Sequence, residues 1–309
     1  NQWTGILATS PEQQTGGTRA LFIGSDQGNM IDYINISTTG NAADFGDMHV
    51  NSSNVDGTSD RTRAVYSGGY SNEISKLQMD TLGNSSDFGD LTLARGNISC
   101  AADRTRGLFM GGFTHPSPTP AGVNVIDYVT IQSEGNAVDF GDIRDLNYEG
   151  SGMASPVRAI ATGGDSTPGT IGQAVGYIDT VIISSLGNAV GFGEQHTFNQ
   201  WQRACASNAV RGLIMGGRKT PTESNAIEYI SMSSAGKGVD FGDLTRISRY
   251  QFAAASSTRA VNAGGYSAPA NTDIIDYVQI MTTGNAVDFG NLTAAKNKGA
   301  SASNGHGGL

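Results

Sequence analysis

Six arginines recur along the chain, at Arg19, Arg63, Arg106, Arg158, Arg211 and Arg259. Guanidinium groups pair with carboxylates and phosphates through two parallel hydrogen bonds, so six of them around one face could hold an anion. A residue repeated in every unit serves the unit, however, whereas a binding site breaks the symmetry. Each Arg opens a strand-like run close to where a "D-F-G" aspartate opens another. An Arg–carboxylate pair in each unit would then fix unit edges and unit-to-unit contacts. The recurring acids are Asp44, Asp87, Asp139, Asp240 and Asp288, with Asp32, Asp127, Asp179 and Asp276 in a second motif. Paired carboxylates suit acid–base catalysis or calcium, but these lack the alternating Asp/Asn spacing of a calcium loop. Structural hydrogen bonds and turn capping are the simpler use.

The remaining reactive residues are sparse. His49, His115, His196 and His306 stand in no recognisable motif with a Ser or Cys nucleophile. No Gly-rich phosphate loop follows a strand and opens a helix. Cys100 and Cys205 are the only cysteines, and without a CxxC or a Cys/His cluster they make no zinc site. The chain therefore reads as a non-enzyme with neither metal nor cofactor. A net charge of −9 argues against nucleic acid or an anionic membrane surface, which need clustered Lys and Arg. No apolar run approaches the roughly 18 residues of a membrane helix. The first residue is Asn1, so a leader or another domain could have preceded it.

What must position these residues is a repeat. With 309 residues, 43 of them Gly and only 15% charged, the chain exceeds one ordinary core, a limit that repeats evade because each unit touches only its neighbours. A pattern recurs six times at a period of roughly 50 residues. Its clearest copy runs T-R-G-L-F-M-G-G from Thr105, V-I-D-Y-V-T-I from Val125 and G-N-A-V-D-F-G-D from Gly135. The "FG" landmark falls at Phe45, Phe88, Phe140, Phe192, Phe241 and Phe289, and its simplest use is packing between units. Each unit predicts four short strands: a small-residue run, the Arg run ending in Gly-Gly, the alternating "IDY" run, and the "DFGD" run. The Gly-Asn pair between the last two reads as a tight II′ hairpin turn.

Four-stranded antiparallel units repeated radially make a β-propeller. The position six residues before each repeated Arg is small: Gly57, Cys100, Gly152, Cys205 and Ala253. That suits strands crowded at a central axis and makes both cysteines buried apolar fillers. The predicted architecture is all-β, one domain over 1–309 with six blades rather than seven. The blades cover about 1–50, 51–93, 94–145, 146–197, 198–245 and 246–292, and 293–309 forms a closing strand. Either Gly299 to Asn304 or Trp3 to Ser10 can supply the first strand of blade one and staple the ring, and His306 to Leu309 reads as the start of a further strand.

The order of these elements resembles the kelch repeat over almost the whole chain. It departs in placing Asp before Tyr, and in carrying Phe in "DFGD" where kelch repeats have Trp. The wording "TRGLFMGG … IDYVTI … GNAVDFGD" is also similar to repeat proteins encoded by tailed phages, notably marine ones. That second resemblance implies a virion component, a tail fibre or adhesin, located on the virion or outside cells. It implies partners among virion or surface proteins and host surface glycans. The alternatives are a polysaccharide-acting hydrolase or lyase, with acids near the central channel, and a bacterial extracellular binding module.

What varies between units is the loop after the Gly-Gly strand, long in units three (113–120), four (165–176) and five (218–221). In a four-stranded meander these loops share a face with the connections between units, which carry Tyr148, Trp201 and Tyr250 as exposed aromatics. With His115, Arg218 and Lys219 from the loops, they are the candidate ligand-binding residues, because function concentrates in loops held by a rigid scaffold.

Overall fold

The protein was analysed as a computed structural model that describes residues 17–115, 121–165, 176–196, 200–219 and 221–309. Among these residues there is no helix. Six four-stranded antiparallel sheets form a closed six-bladed β-propeller.

Blade three shows the plan. Its inner strand Ser99–Ala102 pairs with the second strand Arg106–Met110, then come Val125–Thr130 and the outer strand Val138–Asp142. Ring closure comes from the end of the chain. Ala300–Ser303 is the inner strand of blade one and pairs antiparallel with Arg19–Ser25. Trp3 to Ser10, the other candidate, lies outside the described residues. His306 to Leu309 does not start a strand as the sequence suggests, but forms turns across the end of the axis.

Six apolar cores, one at each blade interface, replace a single core. The "FG" phenylalanines are buried there, and Phe45, Phe140, Phe241 and Phe289 stand edge-on to the "IDY" tyrosines at 5.9–6.2 Å. At the axis the inner strands press together. A Cβ on Gly152 would collide with the backbone of Cys100, and one on Gly57 would meet the Tyr66 and Ala300 side chains. Cys100 and Cys205 are free and buried. Burial pushes both thiols up, that of Cys205 to about 11, so neither is a nucleophile at neutral pH.

The repeated arginines do bridge blades, but their partner is not the "DFG" carboxylate expected from sequence. Arg19, Arg63, Arg106, Arg211 and Arg259 donate to backbone carbonyls of Met79, Ile131, Ile183, Ile280 and Ile36, each just past the third strand of the next blade, at 2.7–3.3 Å. Arg19, Arg106, Arg211 and Arg259 also lie over their own blade's tyrosine, and Arg158, whose blade has Thr180 there, lies over Phe192. A carbonyl at the end of a strand otherwise lacks a donor, and a guanidinium supplies one at fixed geometry. Arg211→Ala removes both contacts and is expected to cost about 2 kcal/mol, read as a lowered urea midpoint. Arg211→Lys should recover only part of it.

The "IDY" acids have other partners. Asp32, Asp127, Asp179, Glu228 and Asp276 form ion pairs with Lys296, Arg95, Arg144, Arg203 and Arg246, all on the strands or connections leading in from the preceding blade. The Arg95–Asp127 pair is fully buried at 3.0 Å, where losing one partner would strand the other.

The Gly-Asn pair is not the hairpin turn expected. The chain turns earlier, at Asn35–Thr38 in blade one. Gly-Asn instead docks on the preceding blade: a Cβ on Gly89 of "DFGD" would collide with the Gly135 carbonyl, and Asn136 accepts the Asp90 N–H at 3.1 Å. The same contact recurs from Asp47 to Asn84, Asp142 to Asn188, Asp243 to Asn285 and Asn291 to Asn41. Here Gly89 holds φ +150°, a backbone that L residues rarely adopt.

Candidate functional site: the axial well

The connections between blades and the loops after the second strands share one face. Backbone bridges join them: Gly96 to Phe113, Tyr148 to Asp165, Trp201 to Arg218 and Arg249 to Tyr266. On this face the last residue before each inner strand region is held in the left-handed conformation. These residues are Asn54, Asn97, Glu149, Gln202, Tyr250 and Lys298, with φ between 53° and 59°. Each backbone N–H donates to the carbonyl of the preceding member, and Asn54 donates to Lys298, closing a circle of six bonds of 2.7–3.2 Å.

The backbone of this circle is six-fold and its side chains are not. Left-handed backbone suits Asn, but costs about 1 kcal/mol or more for most other residues. Blades two and three carry Asn there; the other four carry Glu, Gln, Tyr and Lys. Glu149 accepts the Tyr250 hydroxyl and the Gln202 amide, each at 2.8 Å. Gln202 also accepts from Arg249 at 3.2 Å, and the Lys298 ammonium lies 4.9 Å from the Tyr250 ring centre. Burial raises the Glu149 carboxyl above its usual range, and the two hydrogen bonds and Lys298 only partly offset it. Burial, with the Glu149 charge and hydrogen bond, likewise raises the Tyr250 phenol.

Below this rim the inner strands enclose a well of about 120 Å³. Its walls are small side chains and strand edges. Asp56 lies within it, accepting the Gly57 N–H at 2.8 Å and the Cys100 N–H at 2.9 Å. Burial outweighs these bonds and pushes its carboxyl up to about 7. The far end is covered by the tail after Ser303. His306 Nε2 donates to the Ser59 carbonyl at 2.6 Å and Gly308 N–H donates to His306 Nδ1 at 3.1 Å. Gly307 lies against the carbonyls of Ala154 and Asn208, Gly308 against that of Ala102, and Gly305 against Ser256. The tail thus meets the ends of the inner strands in blades two to six.

Of the residues expected at the site, Tyr250 is on the rim. Tyr148 is half-buried against Phe113 at 5.0 Å, and exposed His115 lies 5.4 Å from Tyr70, which itself contacts Phe113. These four rings form one aromatic wall beside the rim, joined to it where Asn97 donates to the Tyr70 hydroxyl at 3.3 Å. Trp201 is a correction: only 3% exposed, it lies under Arg218 at 6.0 Å and is not a surface contact aromatic. Arg218 is half-buried and Lys219 exposed on a short ribbon with Thr222–Ser231. The loop stretches 116–120 and 166–175 lie outside the described residues.

Sequence reasoning missed Asn54, Asn97, Glu149, Gln202 and Lys298. Counting nine residues back from each repeated Arg finds all but Lys298, together with Tyr250. Among the described residues, no group of three or more His, Cys, Asp or Glu could hold a metal ion.

No family model matches the chain, and no curated protein matches it. Its fold is similar to that of the solved structure of YjhT, with a TM-score of 0.70 at 12% identity, over 82% of this chain and 88% of that one. A likeness at that identity extends to the fold alone.

Proposed function

We propose that this propeller is a divergent kelch-type binding module of a virion or cell surface, similar to tail-fibre or adhesin components of tailed phages, and that its loop-rich face holds a host surface glycan. The observation that carries this reading is the rim. Six equivalent backbone positions hold Asn, Asn, Glu, Gln, Tyr and Lys, and four of them forgo the residue their conformation favours. Side chains retained against local preference are retained for what they contact. Amides, a carboxyl, a phenol and an ammonium on one rim, beside an aromatic wall, give the donors, acceptors and ring faces that a polyhydroxyl ligand uses. The reading includes no catalysis, no cofactor and no nucleic-acid or membrane-inserted partner.

Tyr250→Asn and Lys298→Asn test it. Lys298→Asn should raise the melting temperature slightly, by relieving left-handed strain, whereas Tyr250→Asn should lower it, because the buried Glu149 carboxyl loses a hydrogen-bond partner; each should weaken adsorption of the isolated protein to host cells or to a glycan array at least tenfold. Unchanged adsorption, or binding only to protein partners of a virion, would sink the glycan reading.

One observation favours a second reading. Asp56 and Glu149 are two carboxyls on the axis, both raised by burial, as a polysaccharide hydrolase's proton donor would be. Release of reducing ends from purified host polysaccharide, lost in Asp56→Ser, would replace the binding role with that one.

A further inference from the structure

We infer that the glycan carries an acidic group, a carboxylate or a sulfate ester, and that an arc of cations on the loop face of blades five, six and one receives it. The inference rests on the glycan reading above and adds the ligand's charge.

The arc emerges from where the chain uses its positive charge. There are 19 Lys and Arg. The six repeated arginines are engaged at the blade seams. Five bases pair with the acids of the third strands, and Lys76 pairs with Glu134. Arg61, Arg104 and Lys237 stand at the opposite face, where the chain turns between first and second strands or between third and outer ones. Those that remain are Arg218, Lys219, Arg249 and Lys298, and all four lie on the loop face. Among the described residues, no acid forms an ion pair with Arg218, Lys219 or Lys298. The charged ends of Arg218 and Lys298 lie over aromatic rings instead, Trp201 at 6.0 Å and Tyr250 at 4.9 Å, and Lys219 is exposed.

The four stand side by side. Arg218 faces Glu223 across its ribbon, and Arg249 Nε lies 3.5 Å from the same carboxylate. Arg249 and Lys298 both approach the Tyr250 ring, at 5.5 and 4.9 Å from its centre. One acid thus stands between two guanidiniums. The other acids of this sector have partners of their own: Glu149 bonds Tyr250 and Gln202, Asp26 bonds Asn271 and Asp273 bonds Asn291. The sector keeps a surplus of positive charge on a chain whose net charge is −9. Arg218 over Trp201, and Arg249 at 4.9 Å from the Tyr266 centre, use one guanidinium face on a ring. That leaves the N–H edge, whose fork matches the paired oxygens of a carboxylate or sulfate.

The opposite side of the face has the other sign. The aromatic wall of Tyr70, Phe113 and Tyr148 stands beside Asp165 and Glu149, and burial together with the charges of those two acids raises the Tyr148 phenol. A ligand with a ring and an acid is therefore oriented, its ring toward the wall and its acid toward the arc.

The test uses the full chain and isothermal titration against a panel of surface glycans in matched pairs: each uronic-acid form with its methyl ester, and each sulfated form with its unsulfated parent. A single-stranded oligonucleotide of equal charge serves as the polyanion control. At least one acidic member should bind about tenfold or more tightly than its neutral partner, and the uronate and sulfate pairs show which acid is received. Raising NaCl from about 0.05 M to about 0.5 M should weaken the acidic member and leave neutral ones unchanged. Arg218→Gln with Lys219→Gln should bring the acidic member down to the affinity of its neutral partner, with the thermal midpoint kept within a few degrees because neither side chain pairs with an acid. Lys219→Arg should keep the preference. Equal binding within every pair would overturn the acidic-ligand inference and leave the glycan reading standing. An oligonucleotide bound as tightly as the best acidic glycan would also overturn it. Binding of no member of the panel would overturn both readings.

Discussion

A chain ending at Gly299 is expected to lose its cooperative thermal transition, and a synthetic peptide covering 299–309 is expected to restore it. Ala300–Ser303 supplies the inner strand of blade one from the opposite end of the sequence. It also bonds sideways to both neighbours. Ser59 Oγ donates to the Ser303 carbonyl at 2.9 Å, and Ser301 and Ser303 donate to the carbonyls of Ala253 and Ala255 at 2.7 and 2.8 Å. At about 1 kcal/mol per bond, these three and the four-residue ladder with Ala20–Ile23 come to roughly 5 kcal/mol or more. That is comparable with the whole net stability of an ordinary domain. In a ring the loss spreads, because each blade interface is one of six separate cores and removing a strand opens two of them. Deleting only Gly305–Leu309 should cost much less, since it uncovers the well without touching the sheet. Scanning calorimetry separates the three chains. A normal transition in the chain ending at Gly299 would mean that another segment closes blade one.

Most of the fold is legible because its landmarks obey one period. The Gly-Gly ends, the "IDY" strands and the "FG" bulges recur in order, and small residues six before each Arg mark the axis. The partners of those landmarks are less legible. The bases that neutralise the "IDY" acids lie four to eleven residues after the "FG" phenylalanines of the preceding blade, Arg144 soon and Arg203 late, so no regular spacing reveals them. Gly-Asn looked like a hairpin turn because both uses need glycine at positive φ. Only the neighbouring blade shows that Gly135 is a docking surface for Gly89. Trp201 looked exposed because connections usually are, yet the backbone bridge to Arg218 lays a guanidinium across it. The rim lies on a countable position, but a count cannot say that its backbone is left-handed, and that conformation is what turns the side-chain differences into evidence of use.

Stability should fall as the pH rises from about 4 to about 7, the reverse of ordinary acid denaturation, and Asp56→Ser should abolish most of that fall. Asp56 titrates at about 7 in the folded protein against 3.8 when free. Between those values the native state holds a proton that the unfolded chain has released. The native state binds more protons, so the slope of stability with pH is negative there. Three units at about 1.4 kcal/mol each give about 4 kcal/mol, an upper bound because Asp56 keeps part of its surface open to the water of the well. Glu149, also raised, acts in the same direction. His306 acts in the opposite one. Its pKa is held below 6.5, so the unfolded chain takes up its proton first, and His306 costs stability as the pH falls below 6.5. His306→Gln separates that contribution. Serine is the instructive replacement at 56 because blade four already uses it. Ser151 Oγ accepts the Cys205 N–H at 3.0 Å, as Asp56 accepts the Cys100 N–H, without burying a charge. Asp56→Ser should therefore be more stable than the parent at pH 8 by up to about 4 kcal/mol, read from urea midpoints at pH 5 and pH 8, and nearly equal to it at pH 4. A parent whose midpoint does not change between those pH values would refute the burial of this carboxyl. If the fall is seen and serine removes it, the chain keeps in its well, two residues below the rim position Asn54, an acid that destabilises the ring at neutral pH.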